Sequence, residues 1–210
     1  MPQIFADQSL SRRLERAEGD ANRRFVEARA RVQPEVRATW IDVGGTYAMF
    51  DGVDSPLTQT FGLGLFEPAT DAQLDRIEQF FTERGATTYH EVSPLADGAL
   101  PLLFARGYEA FECSSVMWQP LPVPGAGSSA PSGLRVHRVA LDELPRFVEV
   151  AAEGWGEAPE LREFMRSFGR VTSAAEGMWS FMAELDGLPV ATASMIVSGD
   201  VALLAGASTV

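Results

Sequence analysis

The side chains with the clearest chemical potential in this 210-residue sequence are few and scattered. His90-Glu91 and the lone Cys113 invite a thiol nucleophile with an imidazole base, or a metal pair. Such a nucleophile needs a third group to orient the imidazole. No Asn or Asp stands at a recognisable spacing to do so. Cys113 lies in the alternating run FECSSVMW, where a small buried thiol is the plainer reading. His137, in RVHRV, reads as a strand residue. Asp42, Asp51 and Asp54 lack the spacing of a calcium loop, and Asp51 reads as a turn residue before Gly52. Gly62 and Gly64 form a Gly-x-Gly without a third glycine, and Glu67 stands where it would repel a phosphate. Tight packing explains that pair of glycines better.

Absences narrow the chemistry further. The chain has 17 Arg and no Lys. That excludes a Walker A lysine, a pyridoxal Schiff base and a kinase-type ATP lysine. One Cys makes no internal disulfide and no Cys-rich zinc site, and two His are too few for a metal cage without carboxylates, so no metal is expected. With 29 acids the formal net charge is −12, which argues against a general nucleic-acid binder. There is no run of 18 apolar residues and no signal-peptide start, so no membrane partner is expected and the cytoplasm is the expected location. Arg without Lys, beside abundant Ala, Gly and Pro, suggests a GC-rich bacterial genome. Apolar residues make up 46%, enough for a core.

These residues must be positioned by an α/β (α+β) chain in two segments. Gln119 to Gly133 holds four Pro, three Gly and three Ser and reads as a linker between residues 1–118 and 134–210. The first segment opens on a helix over 8–32, with an apolar line at Leu10, Leu14, Ala17, Ala21, Phe25, Ala28 and Val32. Its many Arg read as a solvated face, and Pro34 closes it. Strands are predicted over 39–43, 46–50 and 56–66, with turns at Gly44-Gly45 and Asp51-Gly52. Thr70 caps a helix over 71–83 whose inner face carries Leu74, Ile77, Phe80 and Phe81. A strand over 87–92, a short helix over 100–106 and a strand over 109–118 complete the segment, the later strands joined by parallel crossovers.

The second segment reads as a strand over 134–139, helices over 142–153 and 159–170, then strands over 179–185, 190–197 and 201–210. Asp186-Gly187 and Ser198-Gly199-Asp200 make the turns between those last strands.

This order resembles the GNAT acetyltransferase superfamily, and specifically a tandem, two-unit bacterial type. The residues that carry the resemblance are MFDGVDSPLTQTFGLGLF in the first unit and FMAELDGLPVATASMIVSGDVALLAGASTV in the second, with YAMFDG and HEVSPLAD alongside. The resemblance implies a GNAT-like mixed sheet flanked by helices: one complete N-terminal unit, a linker, and the first half of a second unit. In the family a glycine-rich loop, holding the pyrophosphate of acetyl-CoA at a helix N-terminus, follows the fourth strand. Here the sequence stops at ASTV, so the expectation is a chain truncated before that loop, with an open edge that favours self-association as a homo-oligomer.

What the resemblance implies chemically is transfer of an acetyl group from acetyl-CoA to an amine of a small or peptide acceptor. Main-chain groups of Ala207, Ser208, Thr209 and Val210 are the expected contacts to the acyl arm. Trp155 and Glu157, in the loop after the first helix of the second unit, are expected at the acceptor: an aromatic wall and a carboxylate for its ammonium. Glu157 and Glu184 are the candidate bases, although a solvent-facing strand position is the plainer reading of Glu184. The alternative is a non-catalytic, degenerate GNAT-like module that binds or regulates.

Overall fold

A computed structural model describes residues 6–121, 131–156 and 159–210. Helix α1 spans Gln8–Val32, as its sequence pattern predicts. Asp7 stands before it in extended conformation, and its carboxylate accepts the Leu10 N–H at 2.8 Å, satisfying an amide with no partner inside the helix. The helix is not one stripe over a solvated face, however. Ala17, Ala21, Phe25 and Ala28 are buried as expected, but so are Glu15, Val26 and Arg29 from other faces. Arg16 lies over the rings of Tyr47 and Phe66, 4.4 and 3.8 Å from their centroids. Arg31 donates to the Ala174 carbonyl at 3.1 Å. The expected solvated face fails because α1 is packed by elements from both segments.

On one side of α1 lies an antiparallel sheet of β1 (Thr39–Val43), β2 (Thr46–Phe50) and β3 (Thr60–Phe61), in that order. Val43 faces Thr46 across Gly44-Gly45, both at positive φ, the two-residue turn whose twist matches the strands. Helix α2 (Asp71–Thr82) covers the sheet, opened by the Thr70–Gln73 capping box. Its Leu74, Ile77, Phe80 and Phe81 pack with Val43, Phe50, Leu63 and Leu65, and α3 (Ala99–Ala105) adds Leu103.

Three predicted strands of this segment differ. The run over 56–66 pairs only at Thr60–Phe61, because Gly62 and Gly64 adopt positive φ and turn the chain so that Leu63 and Leu65 both enter the core. The run over 87–92 reduces to one parallel bridge between Thr60 and His90. The run over 109–118 forms no strand: no described strand lies beside it, and Phe111 and Met117 are exposed. Cys113 is exposed with it, not buried. The parallel crossovers expected late in this segment amount, among the described residues, to the Thr60–His90 bridge. Of the expected linker, residues 122–130 lie outside the described residues.

The other side of α1 holds the second sheet, with order β4-β5-β6-β7, antiparallel throughout: β4 (Leu134–Arg138), β5 (Met178–Leu185), β6 (Leu188–Ser198) and β7 (Val201–Thr209). Asp186 and Gly187 take φ of 50° and 82° and make the predicted two-residue turn. α4 (Leu144–Trp155) and α5 (Pro159–Ala174) pack on this sheet and on each other, and α5 packs on α1 through Phe25, Ala28, Val171 and Ala175. No described helix is long and apolar enough to cross a membrane.

One ion pair ties these layers. Arg29 Nε donates to Asp51 Oδ1 at 2.9 Å and Nη2 to Oδ2 at 3.1 Å, with both side chains nearly or wholly enclosed. Ser55 Oγ donates to Asp51 Oδ2 at 2.6 Å. Arg29 Nη1 reaches Oε1 of Gln33, the residue that caps the end of α1, and Ser167 Oγ of α5 at 3.2 Å, and Gln33 Nε2 donates to the same hydroxyl at 3.1 Å. Asp51 is therefore no two-residue hairpin turn. Its carboxylate turns inward, and the chain takes a longer loop, closed by Asp51 N–H on Thr58 Oγ1 at 3.0 Å, before β3. Arg29→Ala leaves an enclosed carboxylate unpaired and is expected to cost about 3–5 kcal/mol in denaturant unfolding. The double change Arg29→Met with Asp51→Leu is expected to cost clearly less.

Candidate functional site

Ala207 to Val210, the expected contacts to the acyl arm, form the end of β7 at the edge of the second sheet. Register places Thr192 opposite Ser208 and Ser194 opposite Ala205, so Ala193 alone faces both Gly206 and Ala207. This is a β-bulge, and Gly206 carries it at a φ of 64°. Beyond the bulge the strand settles. Val210 N–H donates to Val190 O at 3.0 Å. By alternation the N–H groups of Ala207 and Thr209 point away from β6, and among the described residues β7 has a strand neighbour on the β6 side only. Ala207, Thr209 and Val210 are exposed, whereas Ser208 is buried and shares a 2.9 Å hydrogen bond with Thr192 Oγ1. What β7 offers at this end is main chain, not side chains.

The end of α4 lies directly against it. A Cβ on Gly154 would fall 2.9 Å from Ser208 Cβ and 3.0 Å from the Thr209 carbonyl oxygen, so only glycine permits the approach. Trp155, the next residue, is half-exposed and ends α4. Glu157 lies outside the described residues.

Glu184 departs from its plainer, solvent-facing reading. It is buried, not solvent-facing. Arg146 Nη1 lies 3.3 Å from its Oε1 and Arg135 Nη1 3.5 Å from its Oε2. The alternating pattern of β5 could not reveal this, because the partners come from β4 and α4.

The early candidates are accounted for structurally. Gly62 and Gly64 turn the core loop and face Phe66 and Ala99. His137 shares a 3.2 Å contact with Glu143 from its strand. Asp42 Oδ1 accepts the Gly45 N–H at 2.8 Å within the β1–β2 turn. His90 Nδ1 meets Thr60 Oγ1 at 2.8 Å, its Nε2 has no partner among the described residues, and burial pushes its pKa down to about 4, so the ring is neutral.

Sequence reading missed two features. One is the bulge, whose signal was an isolated glycine inside an apolar strand. The other is a carboxyl cluster of Glu15, Glu18 and Glu91 between α1 and the His90 segment. Burial, then the Glu91 charge, raises Glu15 to about 7, against a backbone hydrogen bond from Gly62. Burial, the charges of Glu91 and Glu15, and a hydrogen bond with Glu91 raise Glu18 to about 7 as well. Burial also raises Glu91. No side-chain spacing announces a cluster built across two elements. Among the described residues, no group of three or more His, Cys, Asp or Glu is disposed to hold a metal ion.

A solved structure described as a GCN5-related N-acetyltransferase from Kribbella flavida is similar over 88% of this chain and 71% of its own, with a TM-score of 0.53 and 19% sequence identity. The shared property at that identity is the fold: helices on antiparallel sheets in a GNAT-like mixed α/β arrangement. No protein-family model and no curated protein matches the sequence.

Two measurements follow from this geometry. Gly154→Ala must move α4 off rigid main chain of β7, and is expected to lower stability by about 1–3 kcal/mol in chemical unfolding. For the carboxyl cluster the sign is set by the raised values. The folded state holds protons that the unfolded state has released, so stability present below pH 4.5 is lost as pH rises through about 7. Unfolding free energy should fall between pH 5 and pH 8, and Glu15→Gln should recover about 1–3 kcal/mol at pH 8 with little change at pH 5.

Proposed function

We propose that the bulged end of β7 is an acyl-transfer site that moves an acetyl group from acetyl-CoA to an amine of a small or peptide acceptor. The observation that carries the reading is an edge strand with outward main-chain N–H groups beside a bulge, set against the end of α4 in a fold shared with a GCN5-related N-acetyltransferase. Exposed amides along an unpaired edge suit an amide-bearing arm laid beside the strand, so the residues present fit the co-substrate's arm. Acetyl-CoA supplies an activated thioester. The Ala207 N–H donates to its carbonyl oxygen, where negative charge grows as the acceptor nitrogen attacks, and the Thr209 N–H, a strand repeat further on, donates to an amide carbonyl of the arm. Trp155 walls the acceptor side, and Glu157 retains its expected role of attracting the ammonium. Glu157 and Glu184 remain the candidate bases, Glu184 with its carboxylate paired to Arg135 and Arg146. The acidic chain favours a cationic acceptor, and its expected home is the bacterial cytoplasm.

Titration calorimetry with acetyl-CoA, followed by thiol release with a panel of small and peptide amines, tests this. Micromolar binding with amine-dependent release is the expected result. Gly206→Val, which forces a β-branched residue to positive φ, is expected to lower that release by about tenfold or more. Binding without release would favour the non-catalytic module, and no binding would remove the reading.

A further inference from the structure

The second sheet has two faces, and the helices cover one. Alternation along β5 and β6 is strict: Ser180, Met182, Glu184, Thr192, Ser194 and Ile196 are buried, and every residue between them is not. The helices that pack on β5, β6 and β7 are α1, α4 and α5, and they meet the buried face, at Ser194, Ile196, Leu203 and Ala205. No residue of the outer face is buried; Leu204 and Val136 are 74% and 62% exposed. The outer face is nonetheless the more apolar of the two. A sheet with one solvated face ordinarily alternates apolar-in with polar-out, whereas strands covered on both faces read as continuous apolar runs. Here the covered face holds three serines, a threonine and Glu184, while the outer face of β5 is Trp179, Phe181, Ala183 and Leu185. The outer face of β6 is Ala191, Ala193, Met195 and Val197. Among the described residues one charge stands on that face: Arg138, on the edge strand β4, over the Trp179 ring at 4.9 Å.

Register arranges these side chains in rows across the strands. Trp179, Met195 and Leu204 stand side by side. Phe181 stands beside Ala193, and Ala183 beside Ala191. A row of large side chains thus lies on one side of the Phe181–Ala193 row, and a row of small ones on the other. Turn a second copy over, about an axis running across the strands along the Phe181–Ala193 row, and the large row of each copy falls on the small row of the other. Sheets packed face to face interdigitate in this way, about 10 Å apart. The area also suffices. At a strand spacing of about 4.8 Å and a rise of about 3.3 Å per residue, four strands paired over roughly seven residues present about 450 Å² in projection. Two copies cover about 900 Å² before the relief of the side chains is added, close to the roughly 1,000 Å² that a specific interface needs. A contiguous apolar patch of that size marks an interaction surface.

We infer that two copies of this chain pack through the outer face of the second sheet in a twofold dimer, with Met195 of one copy over Ala191 of the other. A twofold contact uses the same patch on both copies, so the patch must be complementary to itself. The pairing of a large row with a small one about a central row supplies that complementarity. Arg138 lies at the β4 rim, where a charge stays in contact with solvent. The route differs from the open-edge pairing that the sequence suggested. The outward amides of β7 lie along the strand edge and not on this face, so the dimer and the acyl-transfer reading stand or fall separately.

Sedimentation velocity of the whole chain, run from about 1 to 100 μM, tests this, with a dimer of roughly micromolar Kd expected. Met195→Glu and Ala191→Arg each place an unpartnered charge in the contact, and each should weaken association by about a hundredfold or more. Neither residue is buried within one copy, so both variants should keep the fold, which cooperative denaturant unfolding checks. The two variants mixed in equal amounts should dimerise again. One of the two symmetric contacts then joins the new carboxylate to the new guanidinium, and the other remains Met195 over Ala191. If either variant fails to fold, Trp179→Glu with Ala183→Arg makes the same test on β5. A wild-type chain that stays monomeric at 100 μM would overturn the dimer and leave the face to a different partner. A dimer that survives Met195→Glu would place the contact elsewhere, at the β7 edge or the exposed 109–118 run, and overturn the assignment. Two monomeric variants whose mixture stays monomeric would overturn the twofold register. Restored association in the mixture alone supports it, because a contact through any other surface would not couple these two positions.

Discussion

The pairing of Arg29 with Asp51 constrains more of this molecule than any apolar contact does. Two opposite charges have been taken out of water, and only their close two-pronged geometry and the added hydrogen bonds of Ser55, Gln33 and Ser167 make that tolerable. An apolar contact survives a shift of an ångström. This network does not, because each donor must meet a fixed acceptor. It therefore holds the loop after β2, the body of α1 and the face of α5 in one relation, and the apolar packing of Phe25 against Phe168 and Val171 is formed within that relation.

From there the geometry passes to the site. α5 fixed on α1 supports α4, and the absence of a side chain on Gly154 lets the end of α4 meet Ser208 and Thr209. The turn before β7 is held from the same helix: Ser198 Oγ donates to Asp20 Oδ2 at 2.6 Å, and Arg13 Nη2 to Asp200 Oδ2 at 2.7 Å. Both ends of β7 are thus referenced, directly or through α4, to α1. A bulge whose value lies in where it aims main-chain amides needs that kind of fixed frame.

The sequence revealed what is local. The bounds of α1, the Thr70 cap, the inner face of α2 and the Gly44-Gly45 and Asp186-Gly187 turns all depend on residues a few positions apart, and each stands where its pattern put it. What failed depended on partners distant in the chain. FECSSVMW alternates like a strand, but alternation supplies no neighbour to bond its amides. Arg29 looked like one more charge on a wet face, because its partner lies 22 residues away and its second contact 138. The candidate site divides in the same way. Trp155 and the end of β7 entered through resemblance, and the structure shows only that Gly154, the residue before Trp155, meets Ser208 and Thr209. The bulge and the paired state of Glu184 exist only once strands and helices come together.

The contacts of α1 also bear on how its sequence can drift. Asp20 reaches Ser198 and Arg13 reaches Asp200 near one end, while Arg29 and Gln33 reach Ser167 near the other. Successive residues of a helix are turned by about 100°. One residue inserted between Asp20 and Arg29 would keep the first set of contacts and swing the second a quarter-turn away. Substitutions can accumulate on this helix one face at a time, but its length between those two points is held invariant by rotation alone.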